Sequence, residues 1–231
     1  MDQTIDILIP VQLPSWWKTV ALERYAKHAS PGTTVIGIDL TSEQQHELSD
    51  ESLPRFLLDN ARTQESDGVG AHIIDCFSDP GLALLSNALD RPVIGVGHAG
   101  LWYAYGQFER YAVITSEQPT ADRILKNAEA WNLDSRLLGV AAIGVPAGDV
   151  PSNADEALEA CVEKSCRFAE DADGLVLGCT ELAEFAPRLG TRLRSAGFRL
   201  SVVNPIAVAI RLAELRTMLA AYGDMSGQEA H

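Results

Sequence analysis

Two cysteines occupy matching places in the two halves of the chain. Asp67-Gly68 leads through Ala71, Ile73 and Ile74 to Cys76, and Asp173-Gly174 leads through Leu175, Val176 and Leu177 to Cys179. Each thiol falls where a buried strand should end and a helix begin, and the positive end of a helix favours a thiolate there. A cysteine is a base when ionised and an acid when not. Two of them, one from each half, can therefore serve opposite faces of one carbon. Around the first, Asp79 fits an N-cap and Pro80 the first helical position; around the second, Thr180 fits a cap and Glu181 the first turn. The amides of both turns suit a carboxylate or imide oxygen. A single strand-end cysteine is more often a core residue; two at equivalent positions argue for chemistry. Cys161 and Cys166 lie on one predicted helix, about 500° of rotation apart and so off a common face. No histidine follows at ligand spacing, so they read as packing or surface residues and no metal site is expected.

The elements that must position these thiols alternate in type. Short apolar runs, often β-branched, predict strands at Ile5–Ile9, Thr33–Ile38, Ala71–Cys76, Pro92–Val96, Tyr111–Thr115, Leu137–Ile143, Gly174–Gly178 and Arg199–Val203. Between them, helical patterns cover Trp16–Lys27, Leu53–Glu65, Leu82–Leu89, Leu101–Phe108, Thr120–Trp131, Ala154–Ala169, Leu182–Arg188 and Pro205–Ala221. The order predicts an α/β protein of two similar doubly wound lobes with parallel sheets, related by a pseudo-two-fold axis, with the active site in the cleft between them. The first lobe is expected over residues 1–97 plus 206–222 and carries Cys76. The second, over 98–205, carries Cys179. A polar, flexible tail is expected over 223–231.

The bulk numbers bound the partners. The chain has 231 residues and a net charge of -14, which argues against nucleic acid and anionic membrane. No stretch approaches the roughly 18–20 apolar residues of a membrane span. The first ten residues lack a basic n-region and a cleavage site, so no signal peptide is expected. Four cysteines without a disulfide spacing point to the cytoplasm.

The segments Asp-Cys-Phe-Ser-Asp-Pro-Gly-Leu (75–82), Arg-Pro-Val-Ile-Gly-Val (91–96), Val-Ile-Thr-Ser (113–116) and Leu-Gly-Cys-Thr-Glu-Leu-Ala (177–183) resemble the Asp/Glu/hydantoin racemase superfamily. The first cysteine block is closest to hydantoin and allantoin racemases, the second to aspartate and glutamate racemases. The resemblance implies a cofactor-independent two-base mechanism, with Cys76 and Cys179 as the acid and base. It implies substrate contacts from Phe77 and Ser78, from Thr180 and Glu181, and from the hydroxyl pair Thr115 and Ser116. Pro10, Val11 and Gln12, at the end of the first strand, are expected to line the cleft. Many hydantoin racemases carry Asn-Pro-Asn-Thr there, where this chain has Ile9-Pro10-Val11-Gln12. They also often carry Gly-Cys-Ala at the second cysteine, where this chain has Gly-Cys-Thr. Trp16 and Trp17 follow, for core packing or for closing over an apolar substituent.

A rival motif is Gly95-x-Gly97-x-x-Gly100, after a strand and before a helix, with Glu117 about 20 residues on. It offers a nicotinamide- or flavin-binding oxidoreductase as the alternative, but lies mid-chain and leaves the cysteines unexplained. His72 and His98 read as structural. A non-catalytic small-molecule binding protein is a further alternative. So are an aspartate/glutamate-type racemase and a maleate-isomerase-like enzyme. The reading preferred is an isomerase acting on a hydantoin-like or related amino-acid derivative. It needs no cofactor, takes a small-molecule substrate and is expected to form a homo-oligomer.

Overall fold

The computed structural model of the chain describes residues 2–11, 15–39 and 51–228. Gln12, the side chain of Trp16, and residues 229–231 of the expected tail lie outside the described residues. The chain divides into two compact units, residues 1–95 with 209–231, and residues 96–208. Each holds one four-stranded, all-parallel sheet.

In the first unit the strands are β1 (Gln3–Ile9), β2 (Thr33–Asp39), β3 (Ala71–Ile74) and β4 (Val93–Gly95), in the order β2-β1-β3-β4. Helices α1 (Ser15–Ala26), α2 (Leu53–Ser66) and α3 (Leu82–Ala88) connect them. Leu8 and Ile74 pair across the sheet and pack with Leu57, Leu58, Leu85 and Val93. Strands covered on both faces need apolar residues at nearly every position, which is why they are legible as apolar runs, interrupted in the central strands by the buried pair Asp6 and His72.

The second unit begins with α4 (Val96–Gln107) and continues β5 (Tyr111–Thr115), α5 (Gln118–Ala130), β6 (Leu137–Ala142), α6 (Ala154–Cys166), β7 (Gly174–Leu177), α7 (Ala186–Ser195) and β8 (Ser201–Val203). Its sheet runs β6-β5-β7-β8, the order of the first sheet repeated. Gly174 opens β7 under the ring of Phe108, which lies where a Cβ would go. Gly174→Ala is therefore expected to cost about 1–3 kcal/mol by overpacking, read as a lowered urea midpoint at unchanged slope.

The last helix, α8 (Pro205–Gln228), returns to the first unit and runs past the sequence-predicted end at Ala221. Its contacts there are at the amino ends of the strands. The Glu214 carboxylate accepts from the Ser30 amide at 2.6 Å and the Thr33 hydroxyl at 2.8 Å, Thr217 Oγ1 donates to the Gly70 carbonyl, and Arg216 donates to the Val93 carbonyl. The opposite, carboxyl ends of the strands are the ends that carry Cys76.

Candidate active site

In a parallel α/β sheet, ligands bind beyond the carboxyl ends of the strands where the chain switches direction. With strand order 2-1-3-4, that point lies between the first and third strands of each sheet. In the first unit it is flanked by Pro10 and Val11 after β1 and by Asp75 and Cys76 after β3. In the second it is flanked by Ser116 after β5 and by Gly178 and Cys179 after β7. Each cysteine lies two residues past its third strand. The two thiols are thus topological equivalents.

The turn at Cys76 is built from named hydrogen bonds. The Asp75 amide donates to the Leu8 carbonyl at 2.9 Å, and the Asp79 amide donates to the Cys76 carbonyl at 2.9 Å. Asp79 has a φ of 49° and Gly81 a φ of 77°. Left-handed residues cannot continue a right-handed helix. The helix predicted over Leu82–Leu89 does start at Leu82, with Gly81 before it, so Asp79 closes a turn instead of capping and Pro80 is not the first helical residue. The macrodipole invoked for this thiol is absent, since α3 is short and starts well downstream.

What faces the Cys76 sulfur differs from the sequence expectation. Burial raises the thiol most, the Ser78 amide and hydroxyl donate to the sulfur and lower it, and the Asp79 and Asp75 carboxylates raise it again, leaving it at about 11. The depressed thiol predicted from a helix terminus is corrected to an elevated one. Ser78, expected to hold substrate, spends both donors on the sulfur, and Phe77 is buried. Asp75 accepts a 2.8 Å hydrogen bond from the hydroxyl of Tyr25, a fully buried side chain of α1. Beside Tyr25, the Arg24 guanidinium stacks 4.6 Å over the Trp17 ring. Asp79 is 6% exposed, and its carboxylate lies against the Cα of Gly95 where any Cβ would overlap it. Sequence reasoning gave Asp79 only a capping role here and gave Tyr25 none. The signal available was the spacing Cys-x-x-Asp followed by a glycine at a strand end.

Cys179 is held by a second clamp. The Gly178 amide donates to the Ile114 carbonyl at 2.6 Å, and the Thr115 hydroxyl donates to the Gly178 carbonyl at 2.7 Å. Thr115 is fully buried, so its hydroxyl braces the turn before the cysteine. Ser116 is buried beside it. Cys179, 8% exposed and extended (φ -153°, ψ 135°), is itself the N-cap of a 3-10 segment, Thr180–Phe185, where the sequence placed Thr180 as the cap. Thr180 and Glu181 are half-buried in its first turn. Asn204, at the exit of β8, donates to the Ala183 carbonyl and accepts from the Ala207 amide, capping α8 while bracing that segment.

The other chemically capable residues sort out locally. Cys161 is fully buried in the core cluster that includes Cys179; burial, then Cys179, push its thiol to about 12. Cys166 is exposed. His72 is fully buried within the first sheet, Nδ1 3.1 Å from Asp6 Oδ2, and His98 meets the Trp131 ring edge-on at 5.0 Å. Among the described residues no cluster of histidine, cysteine and carboxylate side chains suits a metal ion. The glycine motif forms no phosphate cradle. Helix α4 follows β4 directly, Gly97 and Gly100 are buried inside it, and the approach to Gly95 is filled by the Asp79 carboxylate, which would repel a pyrophosphate.

Known proteins are similar to this chain in sequence and in fold. A hydantoin racemase of Pseudomonas sp. (strain NS671) is 23% identical over 160 residues, 68% of this chain and 62% of its own length. One of Rhizobium meliloti is 28% identical over 166 residues, 71% of this chain and 66% of its own length. The chain thus spans under two thirds of either relative. In fold, the chain matches an allantoin racemase from Klebsiella pneumoniae with a TM-score of 0.79 at 22% identity, over 96% of this chain and 89% of that one. Residues 19–213, most of the chain, match the sequence profile described as Asp/Glu/Hydantoin racemase. With its paired four-stranded sheets and a cysteine after the third strand of each, this chain belongs to the Asp/Glu/Hydantoin racemase family.

Proposed function

We propose that the chain is a cofactor-independent racemase or epimerase that inverts a carbon next to a carbonyl in a hydantoin-like substrate, with Cys76 and Cys179 as its acid and base. The observation that carries this reading is the repetition of one thiol at the same topological position in two sheets of the same strand order. A one-thiol hydrolase or transferase has no use for the repeat. Inversion needs a proton removed from one face and another delivered to the opposite face, which is a task for two groups. The relatives named as hydantoin racemases favour a cyclic imide over a free amino acid.

The chemistry suits such a substrate. An α-proton is weakly acidic, and a hydantoin ring spreads the resulting negative charge into its carbonyl oxygens. The protein must then stabilise those oxygens with aligned donors. The amides of Thr180 and Glu181 and the end of β1 at Pro10 and Val11 are the proposed lining. Both thiols must stay reduced, which fits the cytoplasm. No helix among the described residues is long and apolar enough to cross a membrane.

The test is a polarimetric or circular-dichroism screen of enantiopure 5-substituted hydantoins, allantoin, aspartate and glutamate. Loss of optical activity is expected with hydantoins or allantoin. Activity confined to free aspartate or glutamate would move the assignment to the amino-acid racemases. Silence across all of them would remove it.

A further inference from the structure

We propose that the outer face of α8 docks a second copy of this chain, the two α8 helices packing antiparallel about a two-fold axis. Helix α8 is apolar on two opposite sides. Ile206, Ala209, Ile210 and Ala213 are buried, and their spacing places them on one face. Leu215, Met218, Leu219 and Tyr222 repeat that spacing but are 45, 40, 55 and 57% exposed. Nine residues separate Leu215 from Ile206, about 900° of rotation, so the second stripe lies opposite the first. The polar residues at the margins are engaged inside the chain: Glu214 accepts from Ser30 and Thr33, and Arg216 donates to the Val93 carbonyl. A helix apolar on both sides belongs between two layers, and the described residues cover only the first stripe.

Charge and spacing both point to a second copy as the occupant. A net charge of -14 makes two copies repel across most of their surface. Glu214 is the sole acid within residues 205–222, and its side chain is only 11% exposed. The stripe therefore lets a copy approach without facing carboxylates. Arg211, Leu215, Met218 and Tyr222 follow one another at intervals of four, three and four residues, the pattern of a helix-to-helix seam. An antiparallel pairing centred between residues 216 and 217 sets Leu215 against the partner's Met218, and Met218 against the partner's Leu215. That reciprocity is what a two-fold interface requires. The same register sets Arg211 against the partner's Tyr222, a cation over an aromatic face. The in-plane N–H groups of Arg211 donate to Glu214 while its side chain stays 57% exposed, and a planar guanidinium bonded at its edge can still stack on a ring.

Area sets the strength expected of the contact. At about 200 Å² for a large apolar side chain, those exposures leave roughly 400 Å² of apolar surface per copy, a patch of the size at which soluble chains place contacts. Two copies join roughly 800 Å² of it, and the flanking side chains bring the total toward the about 1,200 Å² of a small specific interface. The dimer is therefore reversible. It also leaves the carboxyl ends of the first sheet open. Glu214, Arg216 and Thr217, which flank the stripe, bond at the amino ends of those strands, and Cys76 lies at the other end.

The experiment is sedimentation equilibrium of the full-length protein from about 1 to 200 µM, the range for a small interface. A rise toward twice the mass of one chain is expected. Leu215→Glu combined with Leu219→Glu should raise the dissociation midpoint at least about tenfold, as loss of central apolar anchors does. Both leucines are exposed, so the unfolding curve of that variant should stay near wild type. Cross-linking reads the register. Chains carrying Leu215→Cys are mixed with chains carrying Met218→Cys under mild oxidation, and mass spectrometry identifies the joined peptides. Positions 215 and 218 joined between copies support the proposal, and their failure to join overturns it. A wild type that stays monomeric throughout overturns it, as does an oligomer that the double variant leaves unchanged. A monomer that binds phosphatidylcholine vesicles through this stripe overturns it in favour of a membrane. Should the double variant not fold, the cross-link decides alone.

Discussion

Cys76→Ser and Cys179→Ser should each lower kcat/KM for racemisation by at least about 10²–10⁴, the range for removing a positioned acid or base, and by the same factor in both directions. The equality is thermodynamic. Enantiomers have equal free energy, so the ratio of forward to reverse kcat/KM is fixed at unity whatever the protein does. A serine hydroxyl occupies nearly the volume of the thiol but is far less acidic, so it neither ionises nor gives up a proton in step with the carbon. The cost to folding differs between the sites. Cys76 is half-buried beside polar groups, and serine there should leave thermal unfolding nearly unchanged. Cys179 lies in a core cluster with Leu175, Leu177 and Leu182, so a serine hydroxyl there should cost about 1–3 kcal/mol of stability. Each variant also keeps one working thiol. It should still exchange the α-proton of one enantiomer with solvent while failing to invert it. Full racemase activity in either variant, measured by circular dichroism alongside its unfolding curve, would defeat the two-thiol assignment.

The strands and the thiols were legible because both are local signals. Ala71–Ile74 and Gly174–Leu177 form where apolar runs, the first interrupted by His72 alone, follow Asp-Gly, and each run delivers its cysteine to the same end of its sheet. Long-range contacts decided what was not legible. The helix pattern from Leu82 was legible, but Asp79-Pro80 reads as its cap and first position, whereas the fit of the Asp79 side chain over Gly95 goes with a left-handed turn that keeps both outside the helix. Val96-Gly97-His98-Ala99-Gly100 reads as a loop because each glycine costs a helix about 1 kcal/mol, but burial of Val96, Ala99 and Leu101 outweighs that cost and α4 starts at Val96. Thr115 reads as a ligand hydroxyl, and only the pairing of β5 with β7 reveals the Gly178 carbonyl as its partner. Thiol acidity was the least legible property of all. It depends on desolvation and on which way the neighbouring Asp75 and Asp79 side chains turn, and the sequence shows those neighbours without showing their burial or direction.

Racemisation run in heavy water should place one deuterium on the α-carbon of each inverted molecule, while substrate recovered early should keep its hydrogen. The asymmetry follows from the number of bases. With two thiols, the group that removes the hydrogen is not the one that completes the inversion. The incoming isotope therefore comes from a thiol already equilibrated with solvent. If the first thiol reverses before exchanging, it returns the original hydrogen to the face it came from, so recovered substrate stays unlabelled. A single base swinging between faces would carry some hydrogen through into the product and wash deuterium into the substrate at a comparable rate. Proton magnetic resonance of both enantiomers at low conversion reads the two labels separately. Product free of deuterium would exclude solvent-derived proton delivery altogether, and equal labelling of product and recovered substrate would reduce the pair of thiols to one.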